Sequence, residues 1–203
     1  FVKIMQKTML KLCENIQGCV LGYTQSDEIT LVLVDYTNID TCAWFDNQVQ
    51  KIVSVSASMA TLYFNELVDE TFDKVLEKNK VYKVRVWENK LFRATFDSRA
   101  FNLPKEEVCN CLIWRQQDAT RNSILSLAQS LYSQKQIEGI KCNALQDKMF
   151  TEKGVNWNEL ETTLKRGSCA IKDENGKWLI DNEIPIFTEK RDYINKLIIL
   201  DKE

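Results

Sequence analysis

The sequence predicts an α+β fold, an antiparallel sheet with packed helices and a mostly helical C-terminal part. Three features point to it. Short β-branched runs bounded by turn residues dominate the first half, apolar residues recur at helical spacing through most of the second, and an Asn-Gly pair separates two short apolar runs near the end. No internal repeat or low-complexity tract interrupts that order. Residues 1–103 are expected to form one domain, and 104–203 a helical part with a small hairpin packed on it.

In chain order, Phe1, Met5, Met9, Leu12 and Ile16 lie at helical spacing, so a helix is expected to about Gln17, stopped by Gly18. The chain therefore opens inside a helix, which points to a segment preceding Phe1. Cys19 to Tyr23 and Ile29 to Val34 read as the arms of a hairpin with a polar tip, Thr24 to Glu28. Apolar residues on both faces of the second arm mark it as a deeply buried strand. A helix is expected from Trp44 to Phe64, with Val49, Val53, Ser56, Ala57, Ala60 and Phe64 along one small-residue face and Lys51 projecting outward. Residues 65–80 are charged and read as helix or loop. Residues 81–87 and 91–101 alternate like two more strands about Glu88-Asn89-Lys90.

Pro104, with Glu106 and Glu107 behind it, starts the helical half, because proline fits a first turn and acids favour its positive end. Helices are expected to about Gln117 and again from about Asp118 to Gln134, with Ile124, Leu127 and Leu131 as core contacts. A helix around Ala144 to Phe150 follows, then a short one within 158–167 capped by Asn158 and stopped by Gly167. Asn175-Gly176 is the strongest hairpin signal in the chain, and a terminal helix begins at about Glu189.

Composition bounds the chemistry. With 44% hydrophobic residues in 203, the chain can bury a substantial core. No apolar run approaches the roughly 18 to 20 residues that span a bilayer, so a soluble protein with no membrane partner is expected. Seven cysteines at irregular spacing fit a reducing compartment, with cytoplasm the default. Cys109 and Cys111 lack a second pair at zinc-site spacing and read as buried thiols. Histidine is absent, which excludes a Ser-His-Asp or Cys-His arrangement, a His-ligated zinc and an imidazole base within these residues. Carboxylate, amine, hydroxyl and metal chemistry remain. The net charge of −2 conceals a basic stretch: Lys74 to Arg99 holds eight Lys/Arg against three Asp/Glu, either a stripe for RNA phosphates or a solvated hairpin.

Within the segment GYTQSDEITLVLV (22–34), Asp27 and Glu28 stand against a core strand. As turn residues they need no further role. Carboxylates at a hairpin tip also suit Mg²⁺, which takes one or two carboxylates plus substrate phosphates, and phosphoryl transfer by two metals needs no histidine. The QSDEI run resembles the hairpin of nucleotide cyclase and polymerase palm domains.

Five segments together are more specific. GYTQSDEITLVLV, FDNQVQKIVSVSASMATLYF (45–64), FDSRAFNLP (96–104), LIWRQQDATRNSI (112–124) and LKRG (164–167) resemble, in order and spacing, the tRNA-histidine guanylyltransferase family, which includes shorter tRNA-repair members called guanylyltransferase-like proteins or 3′-to-5′ RNA polymerases. The resemblance spans Phe1 to about Gly167. It implies a palm-like catalytic domain that adds nucleotides to the 5′ end of tRNA, with two Mg²⁺ ions as cofactors and ATP and GTP as substrates. The tRNA 5′-phosphate is first activated, and the 3′-hydroxyl of an incoming nucleotide then displaces the activating group.

By the same resemblance Asp27 is a metal ligand, Asp27 and Glu28 are catalytic, and Ser26, Lys51 and Asn122 bind nucleotide. Arg99, Arg115, Lys165 and Arg166 are assigned to RNA. Each has a plainer reading: Ser26 as a turn former, Lys51 as a solvated helix lysine, Lys165 and Arg166 as last-turn cations, and Arg115 with Asp118 as a helix ion pair. The family's first catalytic strand, whose Asp-Gly motif supplies another metal carboxylate, is expected before Phe1. Members that act on tRNA-histidine carry His-Ile-Asn-Asn where this chain has Thr120-Arg121-Asn122-Ser123, which points toward the repair type. A homo-oligomer, by resemblance a tetramer, is expected; among the residues only aromatics such as Trp44 and Trp87 hint at one. The alternatives are tRNA-histidine G addition proper, a palm-domain cyclase or nucleotidyltransferase acting on free nucleotides, and a non-catalytic RNA-binding module.

Overall fold

The computed structural model describes residues 1–78 and 91–198. The chain divides into two compact units, Phe1–Leu103 with Ala170–Ile180, and Pro104–Cys169 with the chain from Asp181 onward. The architecture is α+β, with a four-stranded sheet in the order β2-β1-β3-β4.

The first unit opens with α1 (Val2–Asn15), which buries Met5, Met9, Leu12 and Cys13. Gly18 turns the chain into the sheet at φ +76°, and its carbonyl accepts from the Val34 N–H at 2.8 Å. A Cβ at Gly18 would lie 2.8 Å from the Val34 carbonyl oxygen, so both backbone hand and close approach demand glycine. β1 (Cys19–Gln25) pairs antiparallel with β2 (Glu28–Leu33), matching Gly22 to Leu31, Thr24 to Ile29 and Gln25 to Glu28. The deeply buried strand expected at 29–34 is β1 instead. Among the described strands β2 stands outermost, partly buried along its length, with Leu33 38% exposed.

α1 lies so close on β1 that a Cβ at Gly22 would meet Cys13 Sγ at 2.5 Å and Met9 Cγ at 2.8 Å. Met9 and Cys13 are themselves buried with Cys19 and Ala170, so little room exists for either to yield. Gly22→Ala is expected to destabilise the protein by about 1–3 kcal/mol through overpacking, read as a lower urea midpoint at unchanged slope.

α2 (Val49–Lys78) runs well beyond the Phe64 end expected from its small-residue face. Its Ala60 packs with Leu12 and Ile16 of α1, and Trp44, Met59, Tyr63 and Phe96 join that cluster. Trp44 is thus partly buried against this cluster. The strand expected at 91–101 does not form. Its backbone is bound by α2 side chains: the Asn65 amide donates to the Ala94 carbonyl (2.9 Å) and accepts from the Ala94 N–H (3.3 Å), and Thr61 Oγ1 accepts from the Phe96 N–H (3.0 Å). Those backbone groups find their partners in side chains, and among the described residues 91–101 joins no ladder. The strand expected at 81–87, with Trp87, lies outside the described residues.

The Asn175-Gly176 hairpin forms between β3 (Ser168–Lys172) and β4 (Trp178–Asp181). The Asp173 carboxylate accepts from the Asn175 and Lys177 N–H groups, and Gly176 takes φ +76°. Sequence placed this hairpin with the helical part, whereas β3 stands beside β1 and completes the sheet. The turn residues specify the turn locally; the strand's partner is chosen by apolar contact, Ala170 and Trp178 joining Met9, Cys13 and Cys19.

In the second unit, α3 (Lys105–Leu131) is one continuous helix where two were expected about Gln117-Asp118. No Gly or Pro lies inside it, and Asp118 is taken up along the helix surface by Arg121 and Asn122 rather than as a cap. Ile124 and Ala128 pack with Tyr132, Ile137 and, from α5 (Cys142–Lys153), Leu145 and Met149, with Leu127 and Leu131 alongside. The short α4 (Gln134–Ile137) begins in a capping box formed by Ser133 and Gln136. Before α6 (Thr162–Arg166) comes a 3₁₀ turn, Trp157–Glu159, capped by Asn156; the cap expected at Asn158 is displaced by that turn. α7 (Asp192–Ile198) ends the described chain and buries Ile194 and Ile198. Among the described residues, no helix is long and apolar enough to cross a membrane.

Candidate active site

The β1–β2 turn is built from both of its ends. Leu21, Tyr23 and Thr24 are buried, which anchors the arm, and the Thr24 hydroxyl donates to the Glu28 carbonyl at 2.8 Å across the hairpin. Gln25 and Glu28 pair directly, leaving Ser26 and Asp27 as a two-residue loop. Ser26 takes φ +53°, the positive value that tight hairpin turns require at the first central residue. Ser26, Asp27 and Glu28 are therefore brought together, all exposed, on a tip with fixed backbone.

The donors there are hard oxygens, without sulfur or imidazole, and suit a hard divalent cation. Among the described residues, no group of three or more His, Cys, Asp or Glu side chains is placed to hold a metal. Magnesium commonly takes one or two protein carboxylates and completes its shell with substrate phosphates. Asp27 would hold such an ion, with Glu28 beside it.

Lys51 lies exposed in the first turn of α2, where its charge and the positive helix end add to one positive potential. Immediately before it, Phe45, Asp46 and Asn47 all have positive φ, 52°, 52° and 58°. Asp and Asn tolerate this conformation, but for Phe45 it is strained by roughly 1–2 kcal/mol. The turn is held by the stacked Trp44 and Phe45 rings, 4.7 Å apart, and by the Asn47 amide on Asp35 Oδ2 at 3.3 Å. Lys51 Nζ stands 5.4 Å from the Phe45 ring centroid. Arg99, also in this unit, is highly exposed with Asp97 at 4.0 Å. Of the basic stretch, Lys74, Arg93 and Arg99 are exposed, and residues 79–90 lie outside the described chain.

The remaining candidates belong to the second unit. Asn122 donates to Asp118 Oδ2 at 3.1 Å, while Arg121 pairs with the other Asp118 oxygen. The Arg115 guanidinium lies 4.9 Å from the Trp114 ring, and Trp114 is itself 61% exposed. Lys165 and Arg166 form the last turn of α6. Lys165 Nζ donates to the Asn158 carbonyl at 2.7 Å and sits 5.8 Å from the Trp157 ring, and Arg166 Nε donates to the Ile184 carbonyl at 3.2 Å.

Cys109 is buried with its thiol toward the Arg191 carbonyl, and Cys111 is partly exposed. Burial, above other causes, pushes the Cys109 and Cys169 thiols and the Tyr193 phenol up from their ordinary ranges. Tyr193 instead donates a hydrogen bond to Asp181 at 2.7 Å. None of the three is poised as a nucleophile near neutrality. Sequence reasoning missed Thr24 as the clamp of the tip and the left-handed turn before Lys51. The Asp46-Asn47 pair was the only signal for that turn, since nothing about Phe45 announces a positive φ.

Comparison with known proteins identifies the family. A family model described as tRNAHis guanylyltransferase (Thg1) matches residues 1–104, about half of the chain. A probable tRNA(His) guanylyltransferase from Dictyostelium discoideum is 23% identical over 182 residues, 84% of this chain, and the match spans only 64% of that relative's length. A bacterial tRNA(His) guanylyltransferase (Thg1)-like protein solved in complex with ATP superposes with a TM-score of 0.87 at 41% identity, over 98% of this chain and 80% of that one. The corresponding complex with GTP gives 0.72 at 36% identity, over 97% and 76%. The matched segment carries both the Ser26–Glu28 tip and Lys51, and the chain belongs to the tRNAHis guanylyltransferase family.

Proposed function

We propose that this chain is a nucleotidyltransferase of the repair type, extending the 5′ end of truncated tRNA in the 3′-to-5′ direction against the opposite strand as template. The observation that carries this reading is the exposed Ser26–Glu28 tip on a rigid hairpin, in a chain with Thr120-Arg121-Asn122-Ser123 on α3 where the G-adding members carry His-Ile-Asn-Asn. ATP or GTP first joins its α-phosphorus to the tRNA 5′-phosphate with loss of pyrophosphate. The 3′-hydroxyl of the incoming nucleotide then attacks that 5′-phosphorus and expels the nucleoside monophosphate.

Asp27 and Glu28 supply carboxylate oxygens at the reacting phosphates, and Ser26 positions them through the turn. Magnesium bound there supplies charge neutralisation for the phosphoryl oxygens. Lys51 at the start of α2 holds nucleotide phosphate, aided by the helix dipole. Asn122 contributes to nucleotide binding, and Arg99, Arg115, Lys165 and Arg166 contact tRNA phosphates. The working form is a cytoplasmic homotetramer.

Template dependence is the test. The full-length protein, Mg²⁺, ATP and all four nucleotides are incubated with tRNA-histidine lacking its first nucleotide, in versions that differ at the opposing base. Added nucleotides that follow the complement of that base support the repair reading. Addition of G whatever the opposing base assigns the protein to G addition proper. Consumption of nucleotides without RNA assigns it to free-nucleotide chemistry, and binding without any turnover to a non-catalytic module.

A further inference from the structure

We infer that Ser123 is a positioning residue that holds the basic pair Lys165-Arg166 in place for tRNA, an inference resting on the assignment of that pair to RNA. α6 has five residues, too few to hold itself together, and its carbonyls at the C-terminal end lack helical partners. Side chains outside the helix hold it. The Thr162 hydroxyl donates to Glu183 Oε2 at 2.6 Å at its start, and the Ser123 hydroxyl donates to the Leu164 carbonyl at 2.6 Å in its last turn.

Ser123 is also an acceptor. The Trp157 indole N–H donates to its oxygen at 3.0 Å, so one hydroxyl ties the 3₁₀ turn, α3 and α6 together. Lys165 depends on the same assembly, because its ammonium reaches back to the Asn158 carbonyl and sits over the Trp157 ring. Without the Ser123 oxygen, the Leu164 carbonyl and the Trp157 N–H lose their common partner. The turn bearing Lys165 and Arg166 then loses its tie to α3 and keeps only its own backbone bonds and the contacts of Lys165 with Asn158 and Arg166 with Ile184, so a charge placed for a phosphate is held less firmly. Ser123 thus carries no charge yet governs where two charges stand.

The experiment measures affinity of the full-length protein for tRNA-histidine lacking its first nucleotide, as a function of salt. Ser123→Ala is expected to weaken binding roughly five-fold, the scale of one lost hydrogen bond. It should also lower the slope of log affinity against log salt by about one, as losing a phosphate contact does, although no charge has been removed. The KM for ATP and the rate at saturating tRNA should be unchanged, and Ser123→Thr should restore affinity and slope. Trp157→Phe, which keeps an aromatic ring beneath Lys165 while removing the indole N–H along with some ring volume, should shift both quantities in the same direction.

Lys165→Ala is measured alone and with Ser123→Ala. If Ser123 acts through Lys165, the pair is no worse than Lys165→Ala by itself. Wild-type slope for Ser123→Ala, with Lys165→Ala and Arg166→Ala both weakened, overturns the positioning role and leaves the basic pair's role standing. Wild-type binding for Lys165→Ala and Arg166→Ala overturns that role, and the positioning inference with it. A lowered melting temperature with an unchanged salt slope makes Ser123 merely structural and likewise overturns the inference.

Discussion

Asp27→Ala in the full-length protein is expected to reduce 5′ extension of truncated tRNA by on the order of 10³-fold while leaving the fold intact. The size follows from the role: a carboxylate that fixes charge neutralisation at the transferring phosphoryl group is worth as much as a principal electrostatic stabiliser of a transition state. The selectivity follows from position. Asp27 is exposed in a two-residue turn whose geometry is set by the Gln25–Glu28 pairing, the Thr24 hydroxyl on the Glu28 carbonyl, and the positive φ of Ser26. None of those needs the Asp27 side chain, so stability should change by no more than about 0.5 kcal/mol. Single-turnover extension and urea unfolding, measured on the same preparation, separate the two effects. Both the activation step and the addition step should fail together, since the proposed role puts the same tip at both phosphoryl transfers. Retained extension in Asp27→Ala would remove the metal role from this carboxylate.

The parts of the molecule legible in the sequence are those fixed by neighbours along the chain. The α1 stripe of Met5, Met9 and Leu12 and the Asn175-Gly176 turn follow from local spacing and backbone freedom, and both are found; α1 ends at Asn15, short of the Gly18 stop expected for it, and Gly18 instead turns the chain into β1. What failed depended on distant partners. Residues 91–101 alternate like a strand, but Thr61 and Asn65, some thirty residues earlier, take the hydrogen bonds of Ala94 and Phe96. The 29–34 run reads as deeply buried because it is apolar on both faces, yet β2 is only partly buried among the described residues, since composition does not say how far each face is covered. The β3–β4 hairpin was visible, and its place beside β1 was not. In the candidate site the Ser26–Glu28 tip was legible as a polar interruption between two arms, whereas the left-handed Phe45–Asn47 turn ahead of Lys51 was not, because a Phe with positive φ is sustained only by its surroundings.

Gln116→Leu is expected to be the most damaging of single substitutions to the second unit, lowering stability by roughly 2–5 kcal/mol. Gln116 is only 4% exposed, and both ends of its amide are used: Nε2 donates to the Pro185 carbonyl at 3.0 Å, and Oε1 accepts from the Phe187 N–H at 2.9 Å. Leucine fills a similar space and leaves a buried backbone donor and acceptor unpaired, each costing about 1–3 kcal/mol. Around them Ile184 and Phe187 are almost fully buried, so water cannot easily replace the amide. Gln116→Glu restores the acceptor but loses the donor and buries a carboxyl group, so it should recover only part of the loss. Against a typical total of about 5–15 kcal/mol, such a change would leave a substantial unfolded population in mild urea. Activity per folded molecule should be unchanged, because the amide is spent on backbone and has nothing left for a substrate. Gln116 sits in LIWRQQDATRNSI, a segment that reads as chemistry, beside Arg115 and six residues before Asn122. Unfolding with retained specific activity for Gln116→Leu, set against weakened tRNA binding with retained stability for Arg115→Ala, would separate the structural residue of that segment from its ligand-facing neighbour.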